Sequence, residues 1–232
     1  MTYPFTQLIL CPKVCKVGKW EKKKIGYNGY MKLGYLHPNV FKHNNEVINN
    51  YNLPKDYVLI RLSGLDAYHD LDAKGMSKEV LNKIIKILNS NSMKFFISSE
   101  KPIGKKYKAN LLTISPNDMQ DVLFNSSLLV SDSQSMSVEA AILGVPSIRF
   151  SSFSGKISVL EELEKKYNLT YGVKTNEQER LLELIRDLIK SRNIKKIWKV
   201  KVDKMLEDKI CVTKFLVRFL QEYPKSAEDI KK

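Results

Sequence analysis

The stretch Leu128-Leu-Val-Ser-Asp-Ser-Gln-Ser-Met-Ser-Val-Glu-Ala-Ala-Ile-Leu-Gly-Val-Pro-Ser-Ile148 decides the fold. The apolar run Ser127–Ser131 is short enough for a buried strand. A polar turn, Asp132-Ser-Gln-Ser135, follows it and opens a helix over Ser137–Leu143, stopped by Gly144 and Pro146. Ser147–Phe150 then reads as the next strand. Strand, turn, helix, strand is the repeating unit of a parallel sheet covered on both faces.

The same alternation extends in both directions. Upstream, Tyr57–Leu62 reads as a strand, Ser77–Leu88 as a helix with apolar residues at helical spacing, and Lys94–Ser98 as a second strand. Leu111–Ile114 reads as a third, short strand before Ser115-Pro116, and Met119–Asn125 as a short helix. Downstream come a helix over Ile157–Tyr167, an edge strand over Leu169–Val173 and an amphipathic helix over Glu177–Ser191. The expectation is an α/β fold, a Rossmann-like doubly wound parallel sheet, over residues 51–192.

Residues 1–50 and 193–232 do not fit that pattern. The first segment holds a possible strand (Gln7–Leu10), a lysine-rich loop and a tyrosine-rich stretch from Gly26 to Pro38. In the second, Val212–Leu220 is apolar nearly all round and wants burial on more than one side.

Composition narrows the function classes. No apolar run approaches the roughly 20 residues that span a bilayer, and the first residues lack the layout of a signal peptide. Cys11, Cys15 and Cys211 make no disulfide framework, and three scattered histidines make no zinc site. No metal or cofactor is expected, and a reducing cytoplasm is the expected setting. Lys and Arg number 39 against 25 Asp and Glu, a net charge of +14. That field favours anionic partners: phosphorylated metabolites, an anionic membrane surface or nucleic acid. Nucleic acid is the least favoured, because arginine, the better reader of phosphates and bases, is scarce beside lysine. A lysine-rich solvated surface explains the same numbers.

The turn after the decisive strand carries the chemistry. Ligands of open parallel sheets bind beyond the carboxyl ends of the strands, and N–H groups at a helix start favour phosphate. Ser133, Ser135 and Ser137 offer hydroxyls there, and Glu139 can accept two hydrogen bonds from a sugar diol. Serines at a helix start are also ordinary N-caps, and a glutamate in the first turn ordinary dipole compensation. Arg61, at the end of the first strand, either neutralises phosphate or pairs with a carboxylate. Glu100 ends the second strand, within reach of a base or sugar. His69-Asp70 is an imidazole beside a carboxylate, an acid–base pair or a hydrogen bond within its loop.

The stretch resembles the nucleotide-binding segment of UDP-N-acetylglucosamine 2-epimerases and other GT-B enzymes. It is more similar still to an uncharacterised prokaryotic family of predicted glycosyltransferases. Four further stretches resemble that family: Tyr27-Asn-Gly-Tyr30 with Gly34-Tyr-Leu-His-Pro38, Ala67-Tyr-His-Asp70 with Lys74-Gly75, Ile97-Ser-Ser-Glu100, and Asp208–Leu216. The resemblance implies the C-terminal half of a GT-B fold, with the N-terminal half missing. Residues 1–50 would be its remnant, and residues 193–232 helices that pack back on it. By position, Ser133 and Ser135 would face the diphosphate and Glu139 the ribose, with Arg61 and Gln134 also among the donor-binding residues. Gln134 and Ser135 stand where the epimerases carry glycines, Val138 where they carry a first glutamate, and Cys211 where the family has aspartate.

The implied function is to bind a nucleotide sugar, a UDP-sugar by analogy, as one half of a glycosyltransferase-like enzyme inactive without the other half. Either the chain is a fragment of such an enzyme, or the other half is a separate protein and its expected partner. Two alternatives stand beside it: a non-catalytic basic protein on nucleic acid or an anionic membrane, and a sugar-nucleotide 2-epimerase.

Overall fold

The structure, a computed structural model, describes residues 3–64 and 75–231. Two short parallel strands come first, β1 (Ile9–Pro12) and β2 (Lys24–Tyr27), then the helices α1 (Leu33–Leu36) and α2 (Asn45–Asn50). Strands and helices then alternate. The series is β3 (Val58–Leu62), α3 (Lys78–Ser90), β4 (Phe95–Ser99), α4 (Met119–Asn125), β5 (Leu128–Ser131), α5 (Gln134–Leu143), β6 (Ser147–Phe150), α6 (Ser158–Lys165), β7 (Thr170–Val173) and α7 (Gln178–Lys190). Helices α8 (Ile194–Asp208), α9 (Val212–Gln221) and α10 (Lys225–Lys231) follow. The chain divides into two compact units: His43–Val202, and the pair of segments Met1–Lys42 and Asp203–Lys232.

In the larger unit five strands form one all-parallel sheet in the order β4-β3-β5-β6-β7. Strands β3, β4 and β5 alternate their side chains between two apolar layers. Val58, Ile60, Leu128, Val130, Ile148 and Phe150 meet α3 and α7 on one face. Leu59 and Leu129 meet α2, α4 and α5 on the other, through Val47, Val122, Leu123, Met136 and Ala140. Burial on both faces is why β3 and β5 are nearly continuously apolar, whereas β6 buries Ser147 and Arg149 between its apolar residues. The sheet is thus doubly wound and Rossmann-like. Its order reverses between β3 and β5, from which one crossover runs to β4 and the next to β6 and β7.

Two expectations need correction. Leu111–Ile114 is not a strand: it touches the sheet in a single bridge, Leu111 to Ile97. A 3-10 helix ends at Asn110 and a proline turn begins at Pro116, so too little extended chain remains to form a ladder. Helix α5 starts three residues earlier than expected, at Gln134, because the Ser133 hydroxyl caps it by accepting from Met136 N (3.4 Å). It stops at Gly144, whose φ of +75° suits glycine far better than any residue with a Cβ.

In the smaller unit β1 and β2 form the sheet, and Ile25 packs with Phe215, Phe219 and Ala227 from α9 and α10. The tyrosine-rich stretch grips the segment before α9. Asn28 accepts from Ile210 N (2.9 Å) through its carbonyl and donates its side-chain amide to Asp208 O (2.6 Å). Lys209 Nζ sits 4.7 Å from the Tyr30 ring centroid, and Thr213 Oγ1 donates to Gly34 O.

Candidate functional site

A cleft of about 640 Å³ opens where the sheet order reverses, at the carboxyl ends of β3, β4 and β5. That volume lies within the roughly 300–1,000 Å³ of small-molecule sites. Five residues singled out from sequence line it: Arg61, Glu100, Ser133, Ser135 and Glu139. Its remaining wall is largely apolar, including Leu112, Ile114, Met119 and Met136.

Each polar group is placed by its element. Arg61 ends β3 beside β4, so its Nη1 donates to Ser98 Oγ (2.7 Å) and its Nη2 to Glu100 Oε1 (2.5 Å). The other oxygen of Glu100 accepts from Gly64 N (2.7 Å). The arginine is therefore paired with a carboxylate at the cleft wall, and its buried Nε has no hydrogen-bond partner among the described residues. Ser135 is exposed and donates to Glu139 Oε1 (3.4 Å), one helical turn on. Glu139 is itself buried, its carboxylate at the cleft.

Two of the polar groups expected at the donor site point elsewhere. Ser137 is buried and donates to Ser133 O (2.8 Å), so its hydroxyl serves the helix. Gln134 turns its amide back onto Asp132 O (3.2 Å) and does not line the cleft. His69 and Asp70 lie outside the described residues.

Sequence reasoning missed Asp132. Its carboxylate accepts from Ser63 N (2.7 Å), Ser63 Oγ (2.9 Å) and Met76 N (3.1 Å), joining the loop after β3 to the turn after β5. Burial raises its pKa above the ordinary carboxylate value, and those hydrogen bonds pull it back. Asp132 also lines a neighbouring hollow of about 790 Å³ with Gly64, Met76, Lys78 and Lys101. The available signal was an aspartate directly after a buried strand, where a carboxylate needs N–H donors. Arg149 was missed as well. It is fully buried on β6 with Glu161 and Glu164 each 3.8 Å away, and it lines neither hollow. A third hollow of about 410 Å³, lined by Asp56, Ser127 and Arg192, holds none of the singled-out residues. Among the described residues no three His, Cys, Asp or Glu side chains gather to hold a metal, and no helix is long and apolar enough to cross a membrane.

Fold and cleft together define an α/β protein of the Rossmann-like kind, as in GT-B glycosyltransferases and UDP-N-acetylglucosamine 2-epimerases. The chain belongs to the family described as "Protein of unknown function (DUF354)", which it matches over residues 1–214. No curated protein sequence matches it. Among solved structures it is similar to the UDP-GlcNAc 2-epimerase of Methanocaldococcus jannaschii in complex with UDP-GlcNAc and UDP. That match has a TM-score of 0.52 and 20% identity, over 74% of this chain and 49% of that one. It is similar also to S. aureus MnaA with UDP (TM-score 0.56, 10% identity, 90% and 57% covered). A variant of the wall teichoic acid polymerase TagF matches with TM-score 0.53 and 15% identity, over 99% and 59%. The chain thus spans about half to three-fifths of the length of these structures.

Proposed function

We propose that the chain is the nucleotide-sugar-binding half of a glycosyltransferase-like enzyme and that its cleft takes a nucleoside diphosphate sugar, a UDP-sugar by analogy. The observation that carries the proposal is the meeting of Arg61, Glu100, Ser133, Ser135 and Glu139 in one cleft at the reversal of strand order.

The chemistry follows from the parts. N–H groups at the start of α5 and the hydroxyls of Ser133 and Ser135 receive the diphosphate, aided by the positive end of the helix. Arg61 is shared between Glu100 and the incoming phosphate, and Glu139 accepts from the ribose diol. In transfer, negative charge grows on the departing diphosphate, and these fixed donors stabilise it there. The acceptor site and the base belong in this proposal to the complementary GT-B half, whichever polypeptide carries it, with His69 and Asp70 as acid–base candidates on this side. The outer face of α9, where Val217 and Leu220 are 50% and 68% exposed, would pack against that half.

Calorimetric titration with UDP, UDP-N-acetylglucosamine and UMP tests the donor site. Saturable binding that prefers the diphosphate is expected. Glu139→Ala should weaken it by about tenfold to a hundredfold, the worth of hydrogen bonds to a charged group. A folded chain that binds none of the three ligands sinks the donor site as an autonomous feature.

A further inference from the structure

The smaller unit carries a surface that the nucleotide cleft does not use. Residues 13–24 hold six lysines against one glutamate, Glu21. Lys13, Lys16, Lys19 and Lys22 are exposed, whereas Lys23 is turned inward as a hub. Its Nζ donates to the carbonyls of Tyr3 (3.2 Å), Pro4 (3.0 Å) and Thr6 (2.7 Å) and lies 5.1 Å from the Trp20 ring centroid. One lysine thus pins the segment bearing Phe5 against the basic turn. Phe5 is 91% exposed, so a large apolar side chain stands in water beside a cluster of cations.

We infer that this surface, the exposed Phe5 held by Lys23 against the turn that carries Trp20 and the exposed Lys16, Lys19 and Lys22, docks on an anionic lipid bilayer. Lysines near such a membrane are attracted by its negative surface potential, and an exposed aromatic side chain adds burial in the headgroup region. A nucleic acid would need an open ring for base stacking. Here Lys19 and Lys23 already sit 5.2 and 5.1 Å from the Trp20 centroid. Lysine without arginine in the run also suits a diffuse anionic surface better than bidentate phosphate recognition. Docking here would hold the protein at a membrane by a face separate from the residues that line the cleft.

The test is flotation of the full chain with phosphatidylcholine vesicles, with and without phosphatidylglycerol, each variant first checked for an unchanged unfolding profile. Binding is expected only with the anionic lipid. Lys16→Ser/Lys19→Ser/Lys22→Ser should lower it about a hundredfold, since each lysine near the surface is worth about fivefold. Phe5→Ser should weaken what remains at raised salt, where charge is screened. The control Lys86→Ser/Lys190→Ser/Lys196→Ser removes the same charge from the other unit and should change little. Equal losses in the two triple variants would overturn the assignment, leaving only diffuse attraction to a chain of net charge +14. An inert Phe5→Ser would overturn it too. So would a patch variant that loses single-stranded RNA while keeping its vesicles.

Discussion

At the residue scale, the charged and polar side chains divide into those the cleft exposes and those the fold consumes. Ser133 does both, capping α5 while lining the cleft; Ser137 is spent on the helix alone. That division was not legible in the sequence, where three serines alternate with nothing to distinguish them. Glu139 was singled out but read equally well as dipole compensation; the earlier start of α5 puts it beyond the first turn, where that account no longer holds. His37 supplies a titration to measure. Its Nδ1 accepts from Asn39 N (3.1 Å), which requires that nitrogen to be unprotonated. Burial first, then the nearby Lys214 cation, push its pKa below the ordinary 6.5. The unfolded chain therefore binds this proton more readily than the folded one. Stability contributed by the neutral ring is present above about pH 6.5 and is lost as pH falls through the lowered folded value. Denaturant unfolding at pH 7.5 and 5.5 should show the chain losing stability on acidification, and His37→Asn losing less. An identical pH dependence in the variant would refute it.

At the scale of elements, what the sequence revealed was periodicity and what it hid was partnership. The five strands and the helices between them follow from runs of apolar residues, and so does the all-parallel sheet. Leu111–Ile114 misled because four β-prone residues look like a strand whether or not the flanking turns leave room for a ladder. The family-like stretches around Asn28 and Asp208 were visible separately. Their contact was not, because the two are 180 positions apart and no local pattern encodes so distant a pairing. Both motifs lie in the smaller unit and are accounted for by packing. Gly29 shows why the spacing is strict: a Cβ there would lie 2.6 Å from Val212 Cγ2, with Ile210 O at 3.5 Å. Val212 is fully buried and β-branched, with little freedom to move aside. Gly29→Ala should cost about 1–3 kcal/mol by overpacking, read as a lower denaturation midpoint. Gly29→Ala/Val212→Ala should recover part of that loss, although Val212→Ala alone is destabilising. A double variant that is additively worse would mean the two side chains never compete for the space.

At the scale of the molecule, every residue that lines the 640 Å³ cleft lies within His43–Val202, whereas the basic surface around Trp20 lies in the other unit. The two activities proposed are therefore separable by cutting the chain. Each unit also holds one tryptophan. Trp198 is buried and donates its Nε1 to Leu169 O (2.9 Å) in the larger unit, and Trp20 belongs to the smaller. A fragment of residues 43–208, which keeps α8 whole, should fold with the blue-shifted emission of a buried indole. It should also bind UDP as the full chain does, because the cut removes no lining group. A loss of tenfold or more, about 1.4 kcal/mol, would mean that the smaller unit helps hold the cleft in shape. Trp20→Phe in the full chain separates that outcome from simple misfolding. With Trp198 as the sole reporter, the larger unit should unfold at the same denaturant concentration as the isolated fragment if it is thermodynamically independent. A higher midpoint in the full chain would measure the coupling between the units directly, and the cleft would then depend on a segment that supplies none of its lining.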